Sequence, residues 1–462
     1  MNIIKAKFGF RNVGQGLFYT GMIGDFTFVY DCGVENGTDK ENDIVVRSIN
    51  KFRQELLCYR FCMGYSIHKK PQLDLLIISH FDWDHISGLK ELLTQFEVNT
   101  VVIPFVLPFK RLEIASKSFD KTGEHFKFLI DPIAYFKDFN VKNVVIISGQ
   151  DNENEKENRN KNKPVFDEEH ENNDPLKRDI LVAIDELPND KELNDLFGEA
   201  SKEIKVIFKK SGRISIGYKW ELTFFNYDYN EELVEKLKNI DKGYLFEKQQ
   251  LISVLSSNKV KKIKKEYMKI LSSSDVSSIL KQQGINNTSI ILYHGPIESR
   301  HLVTMGCQQQ VISAVSRFEK VISSLVRKKK ESLERFYKFQ KSPYRKENFY
   351  SPLNGTLLLG DIDVRSDFNQ IYNFFHDQWK KISVILVPHH GSKNNWSVEL
   401  LNAVNGGPSM WIVSAGATNK YAHPNRQIVN DIVAQYPEKK IFFNNELIKV
   451  TIYVFEVEPY YY

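Results

Sequence analysis

The chain has 462 residues, 42% of them hydrophobic and 26% charged, with a net charge of +5. This is ordinary globular composition, and it excludes a largely disordered, collagen-like or disulfide-scaffold chain. No apolar run approaches the ~20 residues of a membrane span and the N-terminus lacks an apolar signal-type stretch, so the expectation is no membrane partner and a cytoplasmic location.

The first 150 residues read as an α/β layer. Strands are expected at 26–30, 73–79, 98–103 and 144–148, with helices at 43–57 and 88–95 between them. Residues 150–175 are rich in Asn, Glu, Lys and Asp and read as an acidic low-complexity loop. Strands follow at 204–208, 213–217 and 219–225. A Lys-rich helical stretch is expected at 230–281, a strand at 289–293, and helical spacing with a basic face at 311–339. The last expected strands are 356–359, 382–387, 411–414 and 448–455.

The positive charge is concentrated. Residues 327–346 hold nine Lys and Arg against Glu331 and Glu334, and residues 259–269 hold six Lys against Glu266. Without these two segments the chain is net negative. Such clusters suit a polyanion, although a solvated helix face also produces them. Four cysteines form no CxxC pair. Cys58 and Cys62 stand at i, i+4, a spacing that could clip a metal, but buried or half-buried thiols in a reducing compartment are the plainer reading.

The strongest chemical signal is His80-Phe81-Asp82-Trp83-Asp84-His85, directly after the 73–79 strand. His80, Asp82, Asp84 and His85 put four metal-ligand side chains within six residues, at a strand's C-terminal end, where α/β sheets place their sites. His80 and Asp82 can face one metal while Asp84 and His85 turn to a second. Imidazole with carboxylate suits zinc, manganese or iron.

With Ile86-Ser87-Gly88-Leu89 behind it, this run resembles the HxHxDHxGG signature of the metallo-β-lactamase fold, with Asp82 in place of the commoner second His. That substitution resembles the hydrolase domain of ComEC-type DNA-uptake proteins. Further pieces agree in chain order. Asn12-Val13-Gly14-Gln15-Gly16 resembles DVGQG and Tyr30-Asp31-Cys32-Gly33 resembles IDAG. Asn287 to Leu292 resembles NxSLVL, and Leu358-Leu359-Gly360-Asp361 resembles LTGD. Val387-Pro388-His389-His390-Gly391-Ser392 matches VPHHGS, and Ser414 to Pro424 resembles SxGxxNxYGHP. Leu17 stands where the opening motif usually ends in an acid, and no His stands at the usual third motif, where Asn286 and Asn287 lie.

The resemblance implies an αββα sandwich with two divalent metal ions, zinc or manganese. The core would be 1–229, 284–304 and 351–462, interrupted by a helical Lys-rich insertion at 230–283 and a basic helical insertion at 305–350. Asp361 is expected to bridge the metals, and His389 or His390 to complete the ligands of the second metal, the choice between them left open. Asp84 would be both ligand and proton acceptor, and Asp31 would orient the ligand loop. His423 fits phosphate binding or proton donation, with Asn419 and Tyr421 beside it for substrate. His294 is a spare ligand candidate that reads as structural. The reaction implied is metal-assisted phosphodiester hydrolysis, with a nucleic acid held by Lys328, Lys329 and Lys330. A small-molecule phosphodiesterase and a non-catalytic binding subunit are the alternatives, and a protein partner or homo-oligomer stays open.

Overall fold

The computed structural model describes residues 5–35, 39–62, 64, 70–106, 111, 114–115, 123–147, 181–183, 204–209, 211–216, 220–227, 289–297, 302–311, 344–350, 355–366, 368–404, 410–417, 419–435 and 440–457. The strands form two sheets. The first has ten, in the order Tyr344–Tyr350, Leu302–Val311, Ile448–Val457, Lys5–Phe10, Phe18–Ile23, Phe26–Cys32, Gln72–Ile77, Glu97–Pro104, Asn143–Ile147 and Lys205–Lys209. The second has eight, in the order Lys440–Asn444, Met410–Ser414, Ile382–Leu386, Gly355–Leu358, Ile291–Pro296, Trp220–Phe225, Gly212–Ile216 and Leu181–Ala183.

The sheets pack face to face through Phe8, Tyr19, Phe28, Leu75, Leu222, Leu292, Leu358 and Ile412, among others. The outer face of the first sheet is covered by helix Asp39–Cys62, through Val45, Ile49, Phe52 and Leu56, and by helix Leu89–Gln95. Helices Phe368–Phe374, Glu399–Ala403 and Arg426–Gln435 cover the second. The architecture is therefore αββα, a metallo-β-lactamase-type sandwich. The sequence shows why. In Gln72–Ile77, Leu73 and Leu76 face the helices while Leu75 and Ile77 face the other sheet. Strands buried on both faces read as continuous apolar runs.

Most expected strands lie within two residues of the observed ones. The reading of 305–350 as helical needs correction at both ends. Leu302–Val311 is a strand, registered from Leu302↔Val457 to Val311↔Ile448, and Tyr344–Tyr350 pairs outside it. A ten-residue partner edge supplies a backbone ladder that local helical spacing cannot match. Strands Lys5–Phe10, Phe18–Ile23 and Lys440–Asn444 were not expected. Cys58 and Cys62 are exposed rather than buried; Cys32 is buried. The acidic loop at 150–175, the insertion at 230–283 and Lys328, Lys329 and Lys330 lie outside the described residues. Among the described residues, no helix is long and apolar enough to cross a membrane.

One charged cluster fastens the long helix to the first sheet. Glu55 accepts from Lys7 (2.8 Å), Arg11 (2.9 Å) and Lys449 (2.8 Å), which come from both ends of the chain. Burial would raise the Glu55 carboxyl, but Arg11, Lys449 and Lys7 outweigh it and hold it well below the carboxylate range. Lys449 bears a cost, since burial and Arg11 push it down to about 8. Glu55 thus supplies the net attraction. Its side chain is 26% exposed, so the loss in Glu55→Gln should be about 2–3 kcal/mol, at or below the lower end for breaking a buried pair. A carboxyl with a depressed folded pKa stabilises above its unfolded value of 4.5 and loses that effect as pH falls. In urea titrations, the gap between wild type and variant should be full at pH 7 and narrow below pH 4.5.

Candidate metal centre

Loops from five strands meet at one end of the sandwich. Asp31 ends Phe26–Cys32, His80 follows Gln72–Ile77, and Asp361 follows Gly355–Leu358. His389 and His390 follow Ile382–Leu386, and Ser414 ends Met410–Ser414. These are C-terminal strand ends, where parallel sheets open into a crevice.

The Asp361 carboxylate stands at the middle, buried. Its Oδ1 lies 3.3 Å from His85 Nε2 and 3.9 Å from His390 Nε2. Its Oδ2 lies 3.5 Å from His389 Nε2 and 3.6 Å from His80 Nε2. The remaining acids follow the same division. Asp84 Oδ2 is 3.1 Å from His390 Nε2 and 3.9 Å from His85 Nε2, while Asp82 Oδ2 is 3.9 Å from His80 Nε2. Asp84, His85, Asp361 and His390 each offer a ligand atom within 4.8 Å of the others. His390 therefore faces the Asp84–His85 pair, and His389 faces the His80 side.

Every imidazole is held by its other nitrogen. His85 Nδ1 donates to Asp31 Oδ2 at 2.8 Å. Ser79 donates through its hydroxyl to Asp31 Oδ2 (2.5 Å) and through its backbone N–H to Oδ1 (2.6 Å). With that hydroxyl proton committed, Ser79 Oγ accepts from His80 Nδ1 at 2.9 Å. His390 Nδ1 donates to the Ser414 carbonyl (2.7 Å) and His389 Nδ1 to Asn395 Oδ1 (2.8 Å). Asn395 is oriented in turn by donating to the Asp361 carbonyl at 3.0 Å. This arrangement turns all four Nε2 atoms towards the centre, the tautomer that metal ligation needs. His80 Nε2 and His85 Nε2 are buried without a hydrogen-bond partner. Such unpaired atoms are costly, and a divalent cation among these imidazoles and carboxylates satisfies them. The donor set therefore fits metal.

The charges reflect the crowding. Burial would raise Asp361, but His389, His85, His390 and His80 hold it well below the carboxylate range. Asp84 is lowered too, burial being outweighed by His85 and His390. Burial opposes the charged form of His85, yet Asp361, Asp31 and Asp84 raise it well above its usual value. His80 is pushed down to about 4 by burial and by His85. Asp82 rises to about 6 through loss of water and repulsion from Asp84 and Asp361. Since its side chain is 40% exposed, the repulsion is the better-founded cause.

His423 lies at the rim, its ring 5.9 Å from that of His389 and its Nδ1 buried without a partner. Burial and the neighbouring His390 and His389 push it down to about 4, so at neutral pH it is an uncharged imidazole rather than a cation. Asn419, expected to meet substrate, is occupied within its own loop. It donates to the Gly416 and His423 carbonyls (both 2.7 Å) and accepts from the His423 (2.9 Å) and Tyr421 (3.1 Å) N–H groups. It shapes the loop that carries His423. The Tyr421 hydroxyl donates to Glu35 at 2.8 Å. His294 sits between the sheets, 2.7 Å from the Tyr19 hydroxyl, remote from the centre.

Three supports escaped sequence reasoning. Ser79 and Asn395 carry no motif signal of their own. His125, from helix Glu124–Ile130, is hydrogen-bonded to the Phe81 carbonyl at 2.8 Å, and Phe128 packs on the Phe81 ring. The ligand loop is thus held from behind by a helix some forty residues away, a contact only tertiary structure reveals.

Residues 18–184 match the family described as the metallo-beta-lactamase superfamily. The match takes in Asp31 and the His80–His85 loop and ends before Asp361, His389 and His390. No curated protein matches the chain. The matched segment and the His/Asp cluster together support a metal-dependent hydrolase.

Asp31 makes three of the bonds that fix the loop. In Asp31→Asn the amide can accept but loses the charge that orients His85 Nδ1–H. Divalent-metal affinity, measured by calorimetry on demetallated protein, should fall about 10–100-fold with the fold retained by circular dichroism.

Proposed function

We propose that the chain is a metal-dependent phosphodiesterase acting on a nucleic acid. The observation that carries the reading is the division of the Asp361 carboxylate, one oxygen towards each of two His/Asp sets. His80, Asp82 and His389 would share one ion with Asp361, and Asp84, His85 and His390 the other. Bound there, two divalent ions, zinc or manganese by donor type, supply a water of lowered pKa and charge to offset a phosphate's oxygens. Asp84, held ionised and partly exposed, is available to accept a proton. His423, uncharged at the rim, can hydrogen-bond a phosphate oxygen or leaving group.

Two things support a phosphodiester in a polymer. One is the resemblance to ComEC-type hydrolase domains. The other is where the basic segments join the sandwich. Residues 228–288 run between Tyr227 and Ser289, and Phe225 pairs with Ile291 at the metal end, where Ile290 N–H donates to the Ser79 carbonyl at 2.8 Å. Residues 312–343 run between Val311 and Tyr344. Val311 pairs with Ile448, two residues beyond the row of Gln309, Val450 and Phe10, and Phe10 leads into the loop whose Leu17 N–H donates to the Asp84 carbonyl at 3.3 Å. Both Lys-rich segments therefore begin and end on the side of the sandwich that bears the centre.

The test uses purified protein with manganese or zinc against bis-p-nitrophenyl phosphate, DNA and RNA. Wild type should cleave the diester and at least one polynucleotide, and Asp361→Asn should abolish both. Metal-loaded wild type that cleaves neither would overturn the reading in favour of a binding subunit. Turnover of the small diester alone would favour a nucleotide or phosphocholine-type ester as substrate.

Replacing Lys328, Lys329 and Lys330 with Glu tests the grip separately. Polynucleotide cleavage should drop at physiological salt, and the slope of log affinity against log salt should shrink by about 0.7–0.9 per lost phosphate contact. An equal fall for the small diester would assign the segment to the fold.

A further inference from the structure

We infer that Lys420 and Tyr421 form a second phosphate subsite beside the metal centre, and that the Glu35 carboxylate occupies it until a polyanion displaces it. The inference rests on the nucleic-acid reading above and names a specificity device within that site.

The loop bearing these residues is held on all sides. Gly416 N–H donates to Gln15 Oε1 (3.1 Å), Ala417 N–H to Glu446 Oε2 (3.0 Å) and Asn425 N–H to the Gly391 carbonyl (2.8 Å). Asn419 closes its interior. The backbone is thus fixed, while the Lys420 side chain (58% exposed) and Tyr421 (50% exposed) stand outward. Both polar heads meet at one atom, Glu35 Oε1, at 2.7 Å from Lys420 Nζ and 2.8 Å from the Tyr421 hydroxyl. Lys420 Nζ also lies 4.9 Å from the centre of the Tyr421 ring.

An ammonium and a phenol converging on one anionic oxygen are the donors a phosphate oxygen takes. The distance from the chemistry is short. Tyr421 stacks on His423 with ring centres 5.5 Å apart, and His423 lies 5.9 Å from His389. The subsite is two ring contacts removed from the centre, which fits a phosphate adjoining the scissile one. The Lys420 end of the pair is open to solvent while the Glu35 side chain is 19% exposed, so water already screens the ammonium, and a stretch of backbone with two phosphates offers it more negative charge than the single carboxylate does. Glu35 then disfavours ligands too weak in charge to compete, and selects polymers over single esters.

The experiment measures binding of a fluorescein-labelled 20-mer of phosphorothioate single-stranded DNA to the metal-loaded full chain by anisotropy, over a range of salt. Glu35→Gln should lower Kd three- to tenfold and steepen the log–log salt slope by up to about 0.7, because no displaced carboxylate takes up a cation in exchange for the one released from the phosphate. Lys420→Ala should raise Kd, and in that background Glu35→Gln should have no further effect, because the two act through one contact. An undiminished Glu35→Gln gain in the Lys420→Ala background would show a general charge effect and overturn the inference. So would unchanged or weaker binding by Glu35→Gln, or no binding by any variant. Hydrolysis is read separately. The expected binding pattern in a protein that cleaves no polynucleotide would retain the subsite and remove the nuclease reading.

Discussion

A carboxylate buried among four imidazoles is the constraint on which the rest depends. Asp361 could not stay ionised at this depth without compensating charge, because removing an ion from water costs far more than one hydrogen bond returns. Its compensation is His80, His85, His389 and His390, each aimed at one of its oxygens. Aiming four rings requires four separate anchors, and those anchors belong to both sheets. Ser79 and Asp31 come from the first; Asn395 and Ser414 come from the second. The centre thus doubles as a seam. Ser414 Oγ donates to the Gly16 carbonyl at 2.8 Å and the Tyr30 hydroxyl to the Ile290 carbonyl at 2.6 Å, crossing between sheets on either side of it.

The backbone pays in strain where the seam is tightest. Among the described residues, five non-glycine positions have left-handed φ, and Asp31, His389, His390 and Ala422 are four of them. Consecutive side chains ordinarily diverge. The turn at His389 (φ 44°), His390 (φ 55°) and Gly391 (φ 82°) brings two neighbouring rings to opposite oxygens of one carboxylate. Such conformations cost on the order of 1–3 kcal/mol each and persist only where surroundings over-determine them. Gly360 serves the same end. At φ 55° it turns the chain into Asp361, and a Cβ there would lie 2.6 Å from Ser289 Oγ, the atom that accepts from the Asp361 N–H.

What was legible in the sequence was whatever is local. The His80–His85 run shows its ligands because one strand and one tight turn carry all four, and Asp361 shows itself through the Gly before it. The division between His389 and His390 was not legible, since both stand in one motif and only the left-handed turn separates their directions. Asn419 misled for the opposite reason. A polar residue in a rim motif reads as a substrate contact, but its amide has as many partners inside its loop as it has places for them. The strand Leu302–Val311 was hidden because its stability lies in a partner edge near the chain's end, whose pairing spans more than a hundred residues.

Charge placement follows from the same geometry. A centre rich in carboxylates repels the polyanion it is proposed to cleave. Divalent metal held there would reverse the sign only at the centre. Attraction over longer range must come from cations set near the rim but away from Asp82, Asp84 and Asp361, where they would otherwise compete with metal as counter-ions. The two Lys-rich segments suit that requirement, because their lysines belong to none of the ligand motifs and the strands that flank them end on the metal side of the sandwich. Glu35 sharpens the same logic at close range. It satisfies Lys420 and Tyr421 in the absence of substrate and yields to a ligand carrying more negative charge than its own.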